Sequence, residues 1–593
     1  MKEKIKFRNK QERKQAIKAK SLTTIFLVIL LAGLSACNSK DKESVADNLQ
    51  SDNLSQSEEI ILYKNGSIYT VNKNQPWAEA LVIKDGIIRF VGSSNDAIKF
   101  EEKAKKVVDL KGKMILPGLH DVHIHPLESG SNNTHFELSP LESNAENFIP
   151  TIRKAARDYP GQNWLIGYGH DLYTLLDSQR SPLDILDQAV PNRPVIIMEQ
   201  TSHSMWVNSK ALEVIGFSKA TADPVGGVIM KNDSNGEPNG ILIDNAGNLA
   251  MDIAMAPTEE TLQNDYKGLV HYTLPALAQV GITSIADARA YWKRKHHETW
   301  KKVEQDGYLT ARVVLGLWAY PEHDDEVQIN MFKSLLSNDK DKLLKINQIK
   351  LYSDGIPSNT TAALHTPYLV DFLDIPGNLG LNYFSEQRIE KYIRALEPSG
   401  FDFHIHAIGE RGIFESLNAI QRASQGKGRH RLTHVEIVDP NDYSRFAELN
   451  VTVDAQVAGN FTHPENWNEY SELIGDTKSD NIVPLRDLKD AGARITLSSD
   501  WSVSPFNPFI GMQNAVTRFP QNLTLSEAIE AYTLSSAYVL RQENSVGSIE
   551  VGKKADLIVI DQNLFEINPD SIGKTKVLQT LLDGREIYRS SDF

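Results

Sequence analysis

The stretch Ile115-Leu116-Pro117-Gly118-Leu119-His120-Asp121-Val122-His123-Ile124-His125 decides how this chain is read. It is an apolar run that ends in two histidines at i and i+2. On a β-strand those positions project from one face. Two imidazoles at one strand end can therefore hold one metal ion, and neutral imidazole is the commonest protein metal ligand. His-x-His alone occurs in many chains. The positions of the other histidines and acids give it meaning.

Counting 114–123 as the first, apolar β-branched runs follow at 281–287, 312–318, 346–354, 401–406, 430–436, 451–456 and 494–500. Helical patterns such as 385–397 and 526–540 lie between them. Strands alternating with helices imply right-handed βαβ units and a parallel sheet. Eight such units predict an α/β protein built on a (β/α)8 TIM barrel over residues 114–544. In that fold the chemistry sits at the C-terminal strand ends. Those ends carry His123 and His125, Lys350, His406, His434 and Asp500. Each has an ordinary structural alternative: a core histidine, a solvated lysine, an aspartate capping a helix. Together they gather polar groups that are costly to bury unless paired or metal-bound, and a shared cation accounts for the set.

The gap after the first strand, about 126–276, is too long for a loop and must carry inserted structure. Both ends of the chain look β-rich, with Asp85-Gly86 and Asp583-Gly584 as hairpin signals. They predict a small β-sandwich assembled from residues 59–113 and 545–593.

Residues 2–20 are dense in Lys and Arg, and a short apolar run, 25–31, precedes Leu34-Ser35-Ala36-Cys37. This is the pattern of a secretory signal over 1–36, and its end resembles the bacterial lipobox. Cys37, the only cysteine, is then the lipidation site, followed by a polar tether over 37–58. The expected location is the cell envelope, on a lipid anchor in a bacterial membrane. The 593 residues exceed one core. A net charge of −14 with no basic stripe in the body argues against a nucleic-acid partner. No phosphate-cradling Gly loop, Gly-x-Ser-x-Gly elbow or thiol nucleophile is present in the body.

The same residues carry a resemblance. Residues 117–125, 164–169, His203 with Trp206 and Asn208, 223–227, 350–355, 406–409, 434–436, Ser499-Asp500 and 552–557 resemble the amidohydrolase superfamily, in its YtcJ-like, N-substituted formamide deformylase-like branch. The likeness runs from about Ile68 to Asp561. It implies one or two divalent metals, normally zinc. His123, His125 and Asp500 would hold one, His406 and His434 a second, with Lys350 carboxylated and bridging. The chain departs from the branch at Glu410, where Asp is usual, and at Thr360, where Arg is frequent.

The reaction expected is hydrolysis of a carbon–nitrogen bond in a small amide-type molecule. Asp500 would be ligand and base, and His203 a donor to the developing oxyanion. Trp164, Tyr168 and Trp206 are candidate substrate walls. Ester or lactone hydrolysis on the same site is the first alternative, and a catalytically inactive, surface-tethered binding lipoprotein the second. A homodimer is a further expectation.

Overall fold

The computed structural model describes residues 60–593 apart from 460, 461, 464, 465 and 467–469. The expected leader, the tether and Cys37 lie outside the described residues. Among the described residues no helix is long and apolar enough to cross a membrane.

Eight parallel strands form one sheet in chain order. They are β1 (Leu119–Ile124), β2 (Ile282–Ala290), β3 (Arg312–Trp318), β4 (Leu344–Tyr352), β5 (Asp402–Ala407), β6 (Arg431–His434), β7 (Thr452–Ala455) and β8 (Arg494–Leu497). Nearly every strand residue is buried. That is the condition of a parallel sheet covered by helices, and it explains why these runs read as continuous apolar stretches. The sheet is drawn shut just beyond β8. The Asp500 amide donates to the His123 carbonyl at 2.8 Å, and the His125 amide to the Trp501 carbonyl at 2.8 Å. The Asp121 carboxylate accepts from the Ser499 amide at 3.1 Å. This is the TIM barrel the alternation predicts, and its closure sets Asp500 beside the first-strand histidines.

The expected first strand, 114–123, is two strands. Met114–Pro117 lies between Ser67–Tyr69 and Leu557–Ile560 in a six-stranded sheet that draws on both ends of the chain. The chain then crosses at Gly118 into β1. A side chain there would bring its Cβ to 2.2 Å from Thr283 Oγ1, so the crossing needs glycine. A four-stranded sheet, Ile87–Gly92, Ala80–Lys84, Ile60–Lys64 and Lys106–Asp109, completes the terminal region. Tyr63, Leu81, Ile115, Leu557 and Leu581 share one core between the two sheets. Asp85-Gly86 and Asp583-Gly584 both hold φ between 51° and 73°, as tight hairpin turns require.

The terminal region is tied to the barrel base by charge. Arg312, the first residue of β3, meets Asp556 at 2.8 and 3.1 Å and Asp583 at 2.5 Å. The segment between β1 and β2 is a subdomain with its own six-stranded sheet, ordered Gly227–Lys231, Pro238–Asp244, Ser204–Val207, Val195–Glu199, Leu165–His170 and Phe136–Glu137. Apolar clusters around Leu165, Ile197 and Trp206 on one face and Ile196, Val207 and Leu242 on the other fill it.

Candidate metal centre

Strand periodicity and barrel closure bring the two ends of the barrel sequence to one point. Asp500 Oδ1 lies 3.2 Å from His123 Nε2 and 2.9 Å from His125 Nε2. Burial, with the Lys350 amine beside it, holds His123 well below the usual histidine range. Burial, then the Arg289 guanidinium, lowers His125. Burial pushes the Asp500 carboxyl up, but its close contacts with His123 and His125 outweigh it and hold it well below its usual range. The Nε2 atoms of two imidazoles thus face one carboxylate oxygen. His123 Nε2 makes no hydrogen bond among the described residues. Such a group is satisfied by a cation among the three, and these donors suit zinc or a similar divalent metal.

Lys350, His406 and His434 stand around the same point. The His434 ring is 5.0 Å from His123 and 4.5 Å from His406, centroid to centroid. His406 Nε2 donates to the Gly355 carbonyl at 3.1 Å. A carbonyl only accepts, so the ring's lone pair is on Nδ1, which has no partner. Lys350 is fully buried and its Nζ, 5.2 Å from the Tyr352 ring centroid, has no hydrogen-bond partner either. Burial, aided by Arg431 and Arg289 against the pull of Asp500, holds the amine well below the usual lysine range. A neutral amine in that position is the form able to take up carbon dioxide. The backbone is strained here: His434, Val435 and Asp500 have φ of 75°, 50° and 57°. For a β-branched residue that is an outlier, and such positions cluster at functional sites.

One layer down, a hydrogen-bonded lattice fixes His123. Its Nδ1 meets Thr433 Oγ1 at 2.8 Å and His404 Nε2 at 2.9 Å, leaving Nε2 as the nitrogen that faces Asp500. Arg431 donates to His404 Nδ1 at 2.7 Å. Asp454 accepts from Thr496 and Ser498 on one oxygen and from Thr433 and Gln456 on the other. His123, His404 and Asp454 also have ligand chemistry in common, but this lattice satisfies Asp454 without an ion. Groups of this kind orient metal ligands. The sequence held the signal for them: His404 and His406 repeat the i, i+2 spacing of the first strand, and Thr452 and Asp454 in β7 with Gln456 just after it form a polar stripe.

His203 enters from the inserted subdomain. Its ring stacks on Tyr352 at 5.6 Å, and Tyr352 stacks on His406 at 4.1 Å. Its Nδ1 is 2.6 Å from Asp244 Oδ1, which also accepts from the Tyr383 hydroxyl at 3.0 Å. Asp244 had no motif of its own in the sequence. It closes a subdomain strand, and only the fold pairs it with His203. Nearby, Glu436 is a buried carboxyl whose Oε2 has no partner. Burial, then the charges of Asp354 and Asp500, push it up to about 8.

Two expected substrate walls are corrected. Trp206 is fully buried in the subdomain core, its indole N–H donating to the Pro182 carbonyl at 2.9 Å. Trp164 stands just before Leu165–His170 and packs on the subdomain's second cluster. It is a strand length, roughly 20 Å, from the His170 end that approaches the barrel. Both were read from aromatic character, which in a two-faced sheet is spent on packing. Tyr168 is half-buried, on the same cluster. Next to Asp500 in the chain, the Trp501 ring lies 4.2 Å from Phe506 and 6.1 Å from Tyr272, centroid to centroid. Glu410, the departure noted above, accepts from the His365 amide at 3.0 Å and pairs with Lys478 at 2.5 Å.

Known proteins resemble this chain over most of its length. The chain is 27% identical over 570 residues to a putative amidohydrolase, YtcJ, of Bacillus subtilis, covering 89% of this chain and 99% of that one. It is 23% identical over 536 residues to an N-substituted formamide deformylase of Arthrobacter pascens, covering 88% and 96%. An uncharacterized metal-dependent hydrolase from Pyrococcus horikoshii superposes with a TM-score of 0.69 at 22% identity, covering 86% and 99%, which shows the fold. A family model described as amidohydrolase family matches residues 106–588, and the chain belongs to that family.

Proposed function

We propose that the protein hydrolyses a carbon–nitrogen bond in a small non-peptide amide, using one or two zinc ions. The observation that carries this is that His123 Nε2 and His125 Nε2 both lie within 3.2 Å of Asp500 Oδ1, with His123 Nε2 unsatisfied. His406 and His434 would hold a second ion, and Lys350, carboxylated, would bridge the two. A bound divalent metal supplies Lewis acidity and water whose pKa falls from 15.7 to about 7. Asp500 would take the proton of the attacking water and return it to the departing nitrogen. His203, paired through Nδ1 with Asp244, presents Nε2 to the oxygen on which charge develops. Trp501 and Phe506 shield this exchange from solvent, with Tyr168 at the subdomain edge. The formamide-cleaving relative supports the amide assignment. The leader-like segment ending at Cys37 supports an envelope location on a lipid anchor.

Metal analysis of the purified protein, with a panel of formamides, N-acyl amino acids and cyclic ureides, tests the reading. Zinc-dependent amide turnover is expected. Metal-dependent turnover of esters with no amide turnover overturns it.

A further inference from the structure

Glu436 has no task in the chemistry above. It follows the strained pair His434-Val435 at the end of β6 and is 5% exposed. Among the described residues no cation pairs with it, and its Oε2 makes no hydrogen bond. The charged groups close enough to act on it are Asp500 and Asp354. Asp354 offers it nothing. Its oxygens accept from the amides of Ala363, Ile408 and Gly409 at 2.8, 3.1 and 2.8 Å and from Ser353. Asp500 faces the histidines. A carboxyl buried among acids, without a donor, is costly to keep. The three carboxyl groups lie within electrostatic reach of one another, and Glu436 is the one with an oxygen that the chain leaves unpaired.

We infer that Glu436 is a specificity-determining residue that binds a protonated amine, or an equally strong N–H donor, carried by the substrate near the scissile bond. The inference rests on the hydrolase reading and narrows its substrate class to small amides bearing a cationic nitrogen. An ammonium group would give Oε2 the donor that the fold withholds, and would be drawn in by Asp354 and Asp500 together. A neutral amide of the same shape would leave the carboxyl as it stands.

The test uses a matched pair, the mono-formamide of ethylenediamine and N-propylformamide, which differ by an ammonium against a methyl group. With the zinc-loaded full chain, kcat/KM is expected to favour the ammonium amide. Glu436→Gln should cut that preference about ten- to hundred-fold, as losing a hydrogen bond to a charged group does. The loss should fall chiefly in KM, with Glu436→Asp between the two. Calorimetric binding of the ammonium amide to the metal-free protein, where no turnover occurs, should weaken by a similar factor. Equal loss on both amides, or no preference for the ammonium amide in either measurement, overturns the inference. If neither amide is hydrolysed but the binding preference remains and falls in Glu436→Gln, the hydrolase reading fails and the recognition site stands.

Discussion

The two ends of the barrel both bury charge, and they treat it in opposite ways. At the base, Arg312 reaches Asp556 and Asp583 with three hydrogen bonds, and the Asp583 amide donates to Asp556 as well. Each charge there has its complement within the chain. At the mouth, His123 Nε2, His406 Nδ1, Lys350 Nζ, Asp244 Oδ2 and Glu436 Oε2 are all buried and without hydrogen-bond partners. The backbone holds positive φ at Asp244, His434, Val435 and Asp500. Burial without partners costs free energy, and strain costs about 1–3 kcal/mol per position. At the base the charges are met by the chain, and His120 Nε2 is left as a neutral unpaired atom. The mouth is finished by what it binds.

That contrast breaks most sharply at the metal cluster. His123→Ala should lower kcat/KM by about 10⁴-fold or more, because ligation and the setting of Asp500 fail together. Zinc content should fall with it. The melting temperature should fall more in the zinc-loaded protein than in the metal-free one, where only the ring's packing and its Nδ1 contacts with Thr433 and His404 are lost. Kinetics, metal analysis and melting of both forms check this. A large loss of apo stability would mean that the mouth is as self-sufficient as the base. The converse substitution is Arg312→Ala. It strands the Asp556 carboxylate, 3% exposed, in the core. Stability should fall by about 3–5 kcal/mol in denaturant titration, as when one partner of a buried pair is removed. Turnover per folded molecule should hold, because Arg312 lies at the opposite end of β3 from the chemistry.

The contrast also explains what the sequence disclosed. The barrel was legible because strands buried on both faces must be apolar, and the meeting of His123, His125 and Asp500 because strand ends of one barrel share a mouth. Asp500 and His123 could be paired on that logic alone. The junction at Gly118 was not legible. One apolar run, 114–124, serves two sheets, and nothing local marks the change except a glycine whose need is set by Thr283, far along the chain. Asp244 and Glu436 escaped for a related reason. A lone acid says nothing of its partners, and those come from another strand, from the subdomain, or from outside the chain. Trp164 and Trp206 misled because aromatic side chains fill cores and line pockets alike.

The smallest test concerns Glu199, at the end of the subdomain strand Val195–Glu199. It is 3% exposed and accepts from the Thr201 amide and hydroxyl at 2.9 and 2.5 Å. Burial outweighs those bonds and pushes its carboxyl up to about 8, with the Asp171 charge adding to it. A carboxyl whose folded pKa is raised stabilises the fold fully only below its unfolded pKa, near 4.3. That stability drains as pH climbs toward 8, at up to about 1.4 kcal/mol per pH unit. Glu199→Gln removes the ionisation but keeps an acceptor for Thr201. The variant should therefore lose less stability than the parent between pH 5 and pH 8, by denaturant titration across that range. It should also be the more stable of the two at pH 9. The slope should persist in Arg312→Ala, whose missing charge belongs to the end of the barrel where Asp556 and Asp583 were already met. If Glu199→Gln tracks the parent at every pH, the proton uptake that distinguishes the mouth side resides in other carboxyls, with Asp287 and Asp354, both raised to about 7 by burial, the next to substitute.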